Sequence, residues 1–200
     1  MPIASVCLRA LIVTLALGLL VAGCGINAIP TQEEKAKAGW SEVLNQYQRR
    51  SDLIPNLVET VKGFAQQERD VLTAVVEARA KATQVRVDVS TITDPEAFKR
   101  FQEAQSALSG AIGRLLAVAE AYPQLRSNQN FLTLQAQLEG TENRIAVARR
   151  DYIEAVRLYN TELRTVPGVI WAMLLYRNNK AMETFTISEE QMRTPRVRFN

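Results

Sequence analysis

Apolar residues recur every three or four positions through nearly all of this chain beyond residue 31, a period that belongs to helices and not to strands. From Gln32 to Arg86 the residues Trp40, Leu44, Tyr47, Ile54, Val58, Val61, Ala65, Leu72 and Val75 keep one stripe in phase over many turns. A stripe of this kind must be buried against other stripes, so the fold is expected to be all-α. Pro55 is the single proline in the run, and Gly39 and Gly63 are its two glycines. Proline removes one backbone N–H and pushes away the carbonyl four residues earlier, here Ser51. A kink at Pro55 is therefore expected, with a complete break as the alternative.

Two further runs follow. The β-branched segment 87–93 reads as a connector, and Asp94-Pro95-Glu96 is a helix start, with an acceptor side chain before a proline at the first position. Phe98, Phe101, Leu108, Ile112, Leu115, Ala119 and Tyr122 share the next face, which stops at Pro123. The third run, from about Ser127 to Arg164, turns Phe131, Leu134, Leu138, Ile145, Tyr152, Val156 and Tyr159 to one side. Long stripes with short connections point to an elongated antiparallel up-and-down helical bundle over residues 32–166. It has three long helices with the first kinked at Pro55, or four if the chain breaks there. Residues 167–200 are expected to form a short C-terminal helix and an extended tail. The apolar patch 169–176 is too short to cross a bilayer. It reads as a cap on the bundle, with a segment dipping into the lipid interface as the alternative.

The N-terminus carries a different message. An apolar run from Ala10 to Ala22 follows Arg9 and ends in Val21-Ala22-Gly23-Cys24. Small residues before a cysteine suit a bacterial lipoprotein signal, so residues 1–23 are read as a signal peptide and Cys24 as the lipidation site. Residues 24–31 then form a tether. Two or more acyl chains anchor a protein stably, each buried CH₂ contributing about 0.8 kcal/mol. An uncleaved N-terminal helix is the alternative; either way the body lies on the extracytoplasmic face. In a host with two membranes, Gly25 after the acylated cysteine points to the outer membrane, facing the periplasm.

Composition narrows the chemistry. Without residues 1–23 the chain has 23 basic and 21 acidic side chains, interspersed along its length, which gives no reason to expect nucleic acid. There is no histidine, and of the two cysteines Cys7 lies in the signal and Cys24 is spent on lipid. Neither a thiol nucleophile nor a histidine base is available, so no catalytic residue, metal or cofactor is expected. Four ionic residues, Glu68, Arg79, Glu142 and Arg149, fall on inward faces and are expected to pair and set helix register. The rival use, an envelope enzyme with Glu68 and Glu142 as an acid/base pair, requires both carboxyls in one cleft. Around the bend, Arg49, Arg50, Asp52 and Asn56 are the candidate partner-binding surface, and Asn56 and Thr60 are placed to satisfy groups freed by Pro55.

At this segment the sequence resembles the LemA family of bacterial envelope proteins. The resemblance rests on Gln48-Arg49-Arg50-x-Asp52-Leu53-Ile54-Pro55-Asn56-Leu57-Val58-x-Thr60-Val61-Lys62-Gly63. Tyr122-Pro123-x-Leu125, Asn130-Phe131-x-x-Leu134-Gln135 and Thr141-Glu142-Asn143-Arg144-Ile145-Ala146-x-Ala148-Arg149 support it. It implies an elongated helical bundle held at the membrane by its N-terminus, and it carries no agreed catalytic residues. The expected role is a membrane-tethered, non-enzymatic scaffold or adaptor for envelope proteins, with a membrane-interacting or lipid-remodelling module as the alternative.

Overall fold

The computed structural model describes residues 25–85 and 88–186, with the backbone alone at residue 89. Expectations for the signal peptide, for Cys24 and for the end of the tail fall outside these residues. Among the described residues there are six α-helices, α1 Ala28–Lys62, α2 Arg69–Gln84, α3 Pro95–Ala119, α4 Pro123–Arg126, α5 Gln129–Glu162 and α6 Gly168–Leu174, with a 3-10 turn at Val89–Thr93 between α2 and α3. No strand occurs among the described residues. The all-α bundle expected from the apolar spacing is what forms, including the short C-terminal helix.

The long first run is two helices, and the turn between them is not where proline suggested. α1 passes through Pro55 without ending and reaches Lys62. The chain reverses over 63–68, where the N–H groups of Phe64 and Ala65 both bond to the carbonyl of Val61 and Ala65 is fully buried. Proline costs a helix one hydrogen bond that a neighbour can replace, and glycine at Gly63 lowers helix propensity at its own position by about 1 kcal/mol relative to alanine. The unbroken phase of the stripe could not separate these cases. A helix folded back on itself buries the same residues, Val58 and Val61 on one arm and Leu72 and Val75 on the other.

α1 and α5 are the two full-length members, antiparallel and each roughly 50 Å long at about 1.5 Å per residue. They meet closely where a Cβ on Gly39 would lie 3.3 Å from the Cα of Tyr152. α2 and α3 complete a four-helix bundle at the end distal to residue 25. Asp94 starts α3 as expected, its carboxylate accepting from the N–H groups of Glu96 and Ala97 at 3.0 and 3.1 Å. α1 itself begins at Ala28, so part of the segment read as tether is helical, and Ile29 is fully buried.

Two cores result. The distal one is aliphatic, built on Ile54, Leu57, Leu108, Leu115 and Leu138. The proximal one is aromatic: the Trp40 ring lies 5.6, 5.2, 5.4 and 6.1 Å from those of Phe98, Phe101, Tyr152 and Phe185. α2 does not reach this half, and its place is taken by the 3-10 turn and a strap, residues 178–186. The strap is held by backbone bonds to side chains and to Ile92, whose carbonyl accepts from the N–H of Glu183 at 2.7 Å. The tail from Thr184 to Asn200 was expected to lie extended against the bundle or to be partly loose; its residues 184–186 belong to this strap, and the rest lie outside the described residues.

Candidate functional site

Between the two cores lies a polar layer centred on Arg50. The side chain sits on the inward face of α1, one turn from Tyr47 and one from Ile54, and is 1% exposed. Its Nη1 donates to Glu142 Oε1 at 2.8 Å and to Ser109 Oγ at 2.7 Å. Nη2 donates to the Gln105 side-chain oxygen at 2.7 Å and to its backbone carbonyl at 3.3 Å. The guanidinium also stands 5.0 Å from the centre of the Tyr47 ring. One planar cation thus ties α1 to both α3 and α5. A buried charge requires a counter-charge and hydrogen-bond partners, and the two Nη atoms of arginine's fixed fork supply both kinds of contact, while the buried Nε has no partner among the described residues. Glu142 is half exposed, so its carboxylate keeps part of its hydration while neutralising Arg50. Burial raises the pKa of the nearby Tyr47 hydroxyl, against the opposing pull of Arg149 and Arg50.

The placement of Arg50 corrects the sequence expectation twice. It is buried and so is not part of an exposed surface, and it makes a cross-helix ion pair of the kind expected of four other residues. Among the described residues, only Glu142 of those four pairs across helices with an opposite charge. Glu68 accepts from the Tyr122 hydroxyl at 2.9 Å near the distal turn. Arg149 lays its guanidinium 4.4 Å from the centre of the Phe185 ring and so holds the strap. Arg79 donates from Nε to the backbone carbonyl of Ser51 at 2.9 Å. That carbonyl is the acceptor Pro55 leaves without an intrahelical donor. The expectation that Asn56 and Thr60 would answer the proline is replaced by this contact from α2. The Thr60 hydroxyl instead donates to the carbonyl of Asn56, one turn back, at 2.7 Å. Spacing contained the missed signal, since Arg50 is three residues after Tyr47 and four before Ile54. Flanking exposed charges, Arg49 and Asp52, concealed it.

Glu68 and Glu142 do not share a cleft. Glu142 borders a cavity of about 210 Å³ with Tyr47, Arg50, Gln105, Ser109 and Arg149, and Glu68 is not among its lining residues. Each carboxylate is already engaged, one by a cation and one by a phenol. Among the described residues no three His, Cys, Asp or Glu side chains gather as a metal site would need.

The remaining candidates face outward. Arg49, Asp52 and Asn56 are exposed on α1. Asp52 accepts from the Gln48 amide at 2.7 Å. Arg49 borders a shallow depression of about 540 Å³ between α1 and α5, with Leu132, Thr133, Gly140 and Arg144. At the proximal end, α6 buries Gly168 and partly buries Trp171, while Ile170, Met173 and Leu174 are exposed. Among the described residues no helix is long and apolar enough to cross a membrane.

Comparison with known proteins gives one family and a small set of relatives. The model of the LemA family matches residues 39–199. Magnetosome protein MamQ 2 of Paramagnetospirillum magneticum is 26% identical over 157 residues, which are 70% of this chain and 58% of the relative. Magnetosome protein MamQ of Magnetospirillum gryphiswaldense is 25% identical over 164 residues, 74% of this chain and 60% of the relative. The chain therefore spans less than two thirds of the length of these relatives.

Proposed function

The chain belongs to the LemA family, and we propose that it is a membrane-tethered, non-enzymatic helical scaffold of the bacterial envelope. Family membership and the relatives named for the magnetosome support a membrane-associated helical protein. The finer reading adds a lipid anchor at Cys24, an extracytoplasmic body and docking of envelope partners. One observation carries it: the inward ionic groups are spent on holding the bundle together, while Arg49, which borders the α1–α5 depression, and Asp52 and Asn56 on the same helix stay exposed. A rod whose polar chemistry is internal presents surface to partners and has no reacting centre at Glu68 or Glu142.

Two experiments test this. Photocrosslinking from Asp52 and Asn56 in cells is expected to give discrete adducts that a crosslinker at the exposed Glu103 of α3 does not give. The charge reversal Arg49→Glu should abolish them, and equal patterns at all three positions would remove the docking surface. Palmitate labelling should be lost in Cys24→Ser. Membrane retention of an unlabelled chain that still begins at Met1 would replace the lipid anchor with an uncleaved helix.

A further inference from the structure

We propose that the outer face of α6 lies in the interfacial layer of the bilayer that carries the anchor, so that the rod is seated on the membrane and does not swing from its tether. This deepens the tether reading and rests on it. The apolar exposure of the molecule is strongly uneven. Ten large apolar side chains are exposed among the described residues, and five of them lie between 166 and 175. These include the four most exposed of all, Val166 at 77%, Met173 at 66%, Leu174 at 58% and Leu175 at 57%. Ile170, Met173 and Leu174 follow helical spacing and form one face.

What covers that face is indicated by where it sits. The Tyr176 hydroxyl donates to the carbonyl of Ile26 at 3.2 Å, and a Cβ on Gly25 would lie 3.2 Å from Pro167 Cγ. The start of the described chain, one residue after Cys24, is therefore packed against both ends of the α6 segment. A lipid-bearing cysteine at position 24 would enter the bilayer beside this apolar face. The segment is also firmly held. A Cβ at Gly168 would collide with the carbonyl oxygen of Glu162, so α6 turns off α5 through a position that only glycine fits. The Asn179 amide donates to Glu33 on α1 at 2.8 Å, fixing the residues after it. Arg164, Arg177 and Lys180 are exposed in the chain on either side of α6, where Glu162 and Glu33 also lie, and exposed basic side chains near an apolar face suit anionic headgroups. An apolar face with exposed basic residues and aromatic side chains close by in the chain, and too short to span, is the pattern of a segment lying in the headgroup layer.

The test uses the full acylated chain in vesicles of phosphatidylcholine and phosphatidylglycerol. In a Cys7→Ser background, a nitroxide is placed at Met173→Cys and, separately, at Gln66→Cys in the distal turn. The Met173 label is expected to show a severalfold higher ratio of oxygen to nickel-chelate accessibility than the Gln66 label. Adding Leu174→Asp, an exposed site that leaves the core intact, should bring that ratio down to the distal value. Equal ratios at both positions in vesicle-bound protein would overturn the inference and leave the tether standing. Failure of the chain to float with the vesicles would remove the tether and the inference together. Spin–spin broadening at Met173 would mean that a second copy covers the face, and would also overturn it.

Discussion

Arg79 and Pro55 stand on different helices, yet one backbone oxygen couples them. Proline withholds a donor from Ser51, and the Arg79 side chain supplies one from α2. An unfilled, partly buried carbonyl costs about 1–2 kcal/mol, so Arg79→Ala should lower stability by about that much. Pro55→Ala restores the N–H, after which Ser51 no longer needs the arginine. In that background Arg79→Ala should cost less than half as much, measured by a urea double-mutant cycle. Additive costs would show that the two residues act separately. At this scale two arginines act as connectors: Arg50 joins α1 to α3 and α5, and Arg79 joins α2 to the weak point of α1.

At the scale of elements, the strap compensates for the short α2. Without residues 178–186 the proximal aromatic core would be open where α2 stops. The strap has no helix or sheet to satisfy its backbone, so side chains of α5 and α3 do that. Asn160 binds Met182 through both ends of its amide, donating to the carbonyl and accepting from the N–H at 2.9 Å each. The hydroxyls of Tyr152 and Tyr159 donate to the carbonyls of Glu183 and Lys180 at 2.7 and 3.1 Å. Gln102 donates to the carbonyl of Thr186 at 2.8 Å. Asn160→Ala removes two of these bonds at once. Hydrogen exchange at residues 180–186 should accelerate markedly, with α1 and α5 little changed, because the strap contributes few buried residues of its own. Unchanged protection would show that Phe185 and Met182 hold the strap by packing alone.

For the molecule as a whole, the proximal core makes stability sensitive to alkali. Burial raises the hydroxyl pKa of Tyr152 far above its ordinary 10.0, and those of Tyr47 and Tyr159 also move up for the same first cause. The folded state therefore keeps these protons beyond the pH at which the unfolded chain releases them. Their contribution is complete below about pH 10 and is lost as pH rises further, because the unfolded state ionises first. Urea midpoints should hold steady from neutrality to about pH 9.5 and then fall. Tyr152→Phe should shallow the fall while costing some stability at neutral pH through the lost bond to Glu183. A fall that is unchanged in this variant would place the sensitivity elsewhere.

Helix class, helix starts and most of the core were legible in the sequence, because burial on one side of a helix imposes a period that single residues cannot disguise. Ile54, Leu108, Leu138 and Tyr152 are buried where their spacing put them. The cap at Asp94 was equally visible, since it depends only on neighbours in the chain. The site was less so. That Arg50 belongs to the interior was implicit in its spacing, but its charge argued for solvent, and only its partners on α3 and α5 reverse that argument. The same holds for the turn at 63–68 and for Arg79 beneath Pro55. Local chemistry marks where a helix is weak, but whether it breaks there depends on a donor arriving from another helix. Sequence by itself determined which residues seek burial and with what period. The tertiary structure alone decided which charges could follow them inside, because a buried charge is tolerated only when distant parts of the chain bring its partners within hydrogen-bond reach.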